Sequence, residues 1–174
     1  PISGPRIVTL RVASLIDIPA RYHVVPTQEV AIIRMVEEKG ERELASVRWG
    51  LVPSWVRHPE EVSPQLANAR SETITSKASF KKSFEQRRCL ILADGFFEWK
   101  RNLTSKQPYC IRPESKELIT FAGIWERWQK ADRIIESCSI ITTASDAGFA
   151  MLHDRMPVML PAQHHDQWPD TAES

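Results

Sequence analysis

The sequence predicts a β-rich α+β domain, and three observations carry that expectation. Short segments rich in Val, Ile, Thr and aromatic residues recur along the 174 residues, few stretches have helical spacing, and no linker or charge block divides the chain. A single domain over residues 1–174 is therefore expected, and at 42% hydrophobic and 26% charged it can bury a substantial core.

The elements follow in chain order. Residues 31–36, the polar stretch 37–41 with Gly40, and residues 44–49 read as two strands joined by a glycine-containing turn. Trp49-Gly50-Leu51-Val52-Pro53-Ser54-Trp55 follows as an aromatic-rich loop, and a proline-containing connection leads to Asn68-Ala69-Arg70-Ser71-Glu72-Thr73. The i, i+4 spacing of Phe80 and Phe84 predicts a helix over about residues 76–87. Residues 89–93 form an apolar run of strand length, and further strands are expected at 109–111, 119–125 and 137–143. Ser145 or Asp146 has the side-chain oxygen to cap a short helix reaching about residue 152. Residues 156–160 read as one more strand, ended by Pro161.

Composition limits the function. A net charge of +1 argues against a strongly basic nucleic-acid binder, but the average hides a local bias. Lys77, Lys81, Lys82, Arg87 and Arg88 stand against one acid, Glu85, in a run that either faces phosphates or is an ordinary solvated helix face. Arg11 and Asp17 interrupt the apolar stretches near the start, which leaves neither a secretory core nor a span of about 20 apolar residues, so a cytoplasmic location with no membrane partner is expected. Cys89, Cys110 and Cys138 contain no C-x-x-C pair and sit in strand-like segments, so buried free thiols are expected rather than zinc ligands or disulfides. His164 and His165, adjacent on a helix, would point about 100° apart, and neither metal nor cofactor is expected.

One carboxylate stands out in Asp94-Gly95-Phe96-Phe97-Glu98-Trp99-Lys100. Beside aromatic walls Glu98 is expected to be poorly solvated, which raises a carboxyl pKa and suits it to moving protons near neutral pH. Asn68, Arg70 and His153 are the other polar groups of interest. Taken singly each has a structural explanation: a turn for Asn68, a surface cation for Arg70, pairing with Lys100 for Glu98, a helix-end bond for His153.

Together they belong to a pattern. Arg21-Tyr22-His23-Val24-Val25-Pro26-Thr27-Gln28, the 49–55 loop, the 68–73 stretch, residues 93–100 and His153-Asp154-Arg155-Met156-Pro157 closely resemble, in the same order, the SOS response-associated peptidase (SRAP) family. The resemblance implies curved, mostly antiparallel sheets in a barrel-like arrangement with a few short helices. It also implies a role in the DNA damage response. Members recognise abasic sites in single-stranded DNA and become covalently attached to them through an N-terminal cysteine, whose amine condenses with the C1′ aldehyde and whose thiol closes a thiazolidine. An α-amine of pKa about 7.7–8.0 suits this better than a lysine near 10.4.

By the same resemblance Glu98 and His153 are acid/base groups, Asn68 orients the nucleophile or the sugar oxygens, and Arg70 holds a backbone phosphate. Trp99 and Trp55 are expected to stack on bases, while Trp49, Trp125 and Trp128 read as core. Thr142 matches a family position close to the DNA or the active site, and His23 is also placed among the DNA-binding residues. The expected partner is single-stranded DNA with abasic sites, bound by a monomer.

The sequence departs from the family at three places. It begins Pro1-Ile2-Ser3-Gly4-Pro5-Arg6 where the family begins Met-Cys-Gly-Arg, and no cysteine precedes Cys89. The crosslinking nucleophile is therefore expected to be missing, and Pro1, a secondary amine, could form an iminium but not a thiazolidine. His23 replaces the usual asparagine, and the stretch after Leu160 is shorter than is usual. Enzymatic status is left open among an abasic-site crosslinking protein, a non-catalytic single-strand-binding module using Arg70 and the 77–88 run, and a cysteine-type peptidase limited to removing its own initiator methionine.

Overall fold

The computed structural model describes residues 18, 19, 21, 23–36, 40–101 and 106–170. The expectations that concern residues 1–17 lie outside them. The described strands are β1 (Glu29–Val36), β2 (Glu41–Trp49), β3 (Asn68–Arg70), β4 (Arg88–Ala93), β5 (Phe96–Arg101), β6 (Lys106–Ile111), β7 (Ile119–Lys130), β8 (Arg133–Ala144) and β9 (Arg155–Pro157), with one six-residue helix, α1 (Lys81–Gln86). In the order β2-β1-β4-β7-β8 five strands form a sheet that closes on itself where β2 meets β8 in parallel, and the other four contacts are antiparallel. The expected β-rich, barrel-like α+β fold is what the chain adopts.

Strand alternation builds the barrel from both sides. Ile32, Val47, Cys89, Ile91, Phe121, Cys138 and Ile140 form one buried cluster, while Ala122, Ile124 and Ile141, on the opposite face, pack with Leu51, Ile74 and Phe80. Ile33 and Leu90 are covered by Leu160 and Trp168. Both faces are dry, which is why residues 89–91 read as an unbroken apolar run. Gly123 sits at the tightest point: a Cβ there would lie 2.6 Å from Cδ1 of Ile91 and 3.0 Å from Sγ of Cys89.

Past Gly123 and Ile140, the last residues that β7 and β8 pair in this direction, the chain from β9 to Leu160 enters between the two strands. Val158 N–H donates to Ile141 O, Ala122 N–H to Val158 O, and Leu160 N–H to Thr120 O, at 2.8–2.9 Å. Residues 142–144 of β8 thus pair with β9, and residues 140–142 pair in parallel with β3. The end of β8 is where the candidate residues collect.

The structure corrects several expected elements. Residues 71–80 form turns, so the helix is shorter than the Phe80 and Phe84 spacing implied. No helix forms over 145–152, although Asp146 Oδ1 accepts from Phe149 N–H at 2.8 Å, as a cap would. Residues 96–101, for which no strand was expected, form one paired with β6, and β7 continues five residues past Trp125. Among the described residues no helix is long and apolar enough to cross a membrane.

Candidate nucleic-acid interface

On β3, Ala69 points into the core and leaves Asn68 and Arg70 exposed on the other face. Arg70 lies opposite Thr142 of β8. Its guanidinium makes no hydrogen bond or ion pair among the described residues, an arrangement open to an anion from outside. The residues just before Asn68 form a 3-10 turn, Pro64–Ala67, to which Trp49 is tied by an Nε1–H bond to Ala67 O.

His153 follows a turn over residues 146–152 and is half-buried. Its Nδ1 lies 3.1 Å from the N–H of Arg155 and 3.2 Å from the carbonyl of the same residue, so the backbone of Arg155 meets this nitrogen in either ring tautomer. Asp154 Oδ1 lies 3.2 Å from the same nitrogen. Arg155 extends its guanidinium to Glu72 with Nη1–Oε1 at 2.6 Å and Nη2–Oε2 at 3.0 Å. Nη2 also donates to Thr142 O, at 2.7 Å, and to Thr142 Oγ1. That pair holds Glu72 well below the usual carboxylate range, at about 2, chiefly through the Arg155 hydrogen bonds.

Glu98 occupies a different setting from the one expected. Strand alternation puts Phe97 and Trp99 on one face of the β5–β6 hairpin and Phe96, Glu98 and Lys100 on the other, so Phe96 alone among the three aromatics shares the face of Glu98. The carboxylate is half-buried and accepts from the N–H of Trp99 at 3.1 Å. Phe96 anchors this face, with ring centroids 5.6 Å from Phe121 and 5.9 Å from Phe149, and His153 N–H bonds Phe149 O. Through Phe96 and Phe149 the hairpin bearing Glu98 is packed on the turn bearing His153. No hydrogen bond links Asn68, Glu98 and His153 directly among the described residues.

Phe97 and Trp99 are 42% and 43% exposed, and His23 meets Phe97 edge-on at 5.8 Å. Trp55 is 65% exposed, beside an open groove of about 510 Å³ lined by Val56, His58, Val62 and Leu66. Its loop is pinned by Trp128 Nε1–H to Val56 O at 2.8 Å. Trp128 is buried, and Trp49 and Trp125 pack against the barrel core, as expected from the sequence.

The basic run divides. Arg87 bonds buried Glu126 at 2.6 Å, Arg88 donates to Asp170 O, and Lys77, Lys81 and Lys82 remain exposed. Cys89 and Cys138 are buried thiols whose pKa burial pushes up, the reverse of an activated nucleophile. Cys110, expected to be buried, is exposed on β6 outside the barrel. Among the described residues no group of three metal-binding side chains forms. Glu72 and Arg155 were not singled out from the sequence. Both lie two residues beyond a candidate, Arg70 and His153, but not on one strand with it: Glu72 is in the turn after β3 and Arg155 opens β9.

The match to the SOS response associated peptidase (SRAP) family extends over residues 8–174. The chain belongs to that family. It is 38% identical over 149 residues to the abasic site processing protein YoaM of Bacillus subtilis, covering 84% of this chain and 64% of that protein. To the abasic site processing protein HMCES of Xenopus tropicalis it is 38% identical over 145 residues, covering 71% and 43%. The chain thus spans less than two thirds of the length of these relatives. Among solved structures, a protein from Bordetella bronchiseptica superposes with a TM-score of 0.79 at 27% identity, covering 94% of this chain and 84% of that one. Another, from Bacteroides thetaiotaomicron, gives 0.76 at 30% identity, covering 85% and 65%.

Proposed function

We propose that this SRAP chain binds single-stranded DNA at abasic sites, as part of a DNA damage response. The observation that carries this reading is the exposed guanidinium of Arg70, without a partner among the described residues, beside exposed Asn68 on one face of β3. Arg70 grips a phosphate next to the lesion with its planar fork, and Asn68 meets the sugar oxygens. Trp99, with Phe97 and His23 beside it, stacks on a base next to the gap, and Trp55 takes another along the strand. Thr142 backs the strand at Arg70.

Glu98 and His153 move the protons of ring opening and of water loss. Nε2 of His153 faces the substrate, because Nδ1 is held by the backbone of Arg155. In the covalent step that family resemblance implies, an amine nitrogen attacks C1′, the carbinolamine loses water to give an imine, and a thiol on the same residue adds to the imine carbon. Cys89 and Cys138 cannot serve, being sealed in the barrel.

The test uses single-stranded DNA with and without one abasic site. This chain should bind the abasic strand in preference to the intact one. A variant beginning Met-Cys-Gly-Arg should give a heat-stable shifted band on a denaturing gel with the abasic strand alone. Binding of the abasic strand by neither protein would overturn the reading. Binding without a band from that variant would confine it to non-covalent recognition.

A further inference from the structure

Arg155 joins three pieces of the candidate interface that the chain delivers separately. Its fork closes on Glu72, two residues beyond Arg70, with both oxygens engaged at 2.6 and 3.0 Å. Its Nη2 shares the Thr142 carbonyl with the N–H of Ser71, at 2.7 and 2.9 Å, so the turn after β3 and the guanidinium meet at one acceptor on β8. Its own backbone N–H and carbonyl lie 3.1 and 3.2 Å from Nδ1 of His153 and hold the ring by that nitrogen. A fork-to-fork pair has a fixed plane, unlike a lysine contact such as Lys81 with Glu85 at 4.0 Å, so it fixes orientation as well as proximity. Glu72 is half-exposed and exposed ion pairs add little to stability, so its geometry is better suited to alignment than to holding the fold.

We infer that Glu72 and Arg155 are positioning residues: their bidentate pair fixes His153 and the Asn68–Arg70 strand relative to each other across the end of β8. The alignment acquires its purpose from the proposed DNA function, on which this role rests. Neither residue needs to touch the reacting sugar. Removing the pair lets the 153–157 segment and β3 move independently, and a displacement of about 1 Å at such a site can cost on the order of a hundredfold.

Two readouts test the role, in the wild type, Glu72→Gln and Arg155→Lys, with Glu85→Gln as a control outside the interface. The first is the ¹⁵N signals of the His153 ring in free protein, which report the tautomer without DNA. The wild type should show one dominant tautomer, and both site variants should move the two nitrogens toward tautomer-averaged values. The second is the ratio of affinities for abasic over intact single-stranded DNA. It should fall by on the order of tenfold in both site variants.

Loss of a repulsive carboxylate alone would instead raise affinity for both strands together in Glu72→Gln and leave the ratio unchanged. Wild-type ring signals and an unchanged ratio in both site variants would overturn the inference. So would loss of the native fold in Glu72→Gln, which would make the pair a structural tie. A wild type that ignores abasic DNA would sink the DNA reading, and the ring signals would still decide whether the pair aligns His153.

Discussion

Arg34 and Arg70 both extend from strands of the same molecule, and their surroundings are opposites. Arg34 lies buried in the barrel, with Nε bonded to Glu43 at 2.6 Å, Nη2 to Glu136 at 3.1 Å, and its guanidinium 4.1 Å above the ring of Trp125. Burial works against its charge, yet the hydrogen bonds it donates to Glu136 and Glu43 prevail and hold its pKa above the ordinary value. Glu126 is treated likewise, 3% exposed and bonded by Ser83, Arg87 and the Arg127 N–H. On the β3 and β5 side the exposed side chains of Asn68, Arg70 and Trp99 make no hydrogen bond or ion pair among the described residues. Where charge is paired internally it fixes the fold, and where it is left open it is available to a ligand.

Substitutions in the two regions should therefore fail in different assays. The largest loss is expected for Glu126→Ala, which strands Arg87 against the barrel and should cost about 3–5 kcal/mol in urea unfolding. Trp99→Ala should leave unfolding almost unchanged and weaken single-stranded DNA binding by about 1–3 kcal/mol, read by fluorescence anisotropy. Stability lost at Trp99, or DNA affinity lost at Glu126 in protein that is still folded, would break the division. Arg70→Ala should shift stability by no more than about 0.5 kcal/mol. It should weaken binding by about 1.5 kcal/mol at low salt and lower the slope of log K against log salt by about one. An unchanged slope would remove Arg70 from the phosphate contacts.

The same division explains what could be read from the sequence. Strands whose two faces are both dry, such as residues 89–91, announce themselves as apolar runs, and the Trp49, Trp125 and Trp128 indoles were legible as core because large rings must mostly be buried. β5 was not, because Phe96, Phe97 and Trp99 break the alternation that marks a strand, and the strand lies off the barrel against β6 alone. That error also misplaced the walls around Glu98, since only pairing with β6 reveals that Phe97 and Trp99 turn away from it. The end of β7 was hidden by Glu126 and Arg127, charges that made sense only once Arg87 and Ser83 were seen to meet Glu126. Asn68, Arg70 and His153 could be named in advance from ordered motifs. Glu72 and Arg155 could not, because their meeting depends on β3 and β9 flanking the same end of β8.

The Glu72–Arg155 pair crosses this boundary, being internally matched yet half-exposed, and its pH dependence should be correspondingly small. The hydrogen bonds from Arg155, more than any other influence, lower the Glu72 carboxyl from 4.5 to about 2. A lowered carboxyl pKa contributes stability that is complete above about 4.5 and is lost as pH falls through about 2, because protons then bind the unfolded chain before the folded one. The thermal midpoint of the wild type should therefore exceed that of Glu72→Gln by a constant small margin from neutrality down to about pH 4.5. The two should converge as pH approaches 2. Solvent screening at this half-exposed position keeps the margin small even where it is complete. A margin that widened on acidification would mean that Glu72 is held by something other than Arg155, and would return Arg155 to the set of open charges beside Arg70.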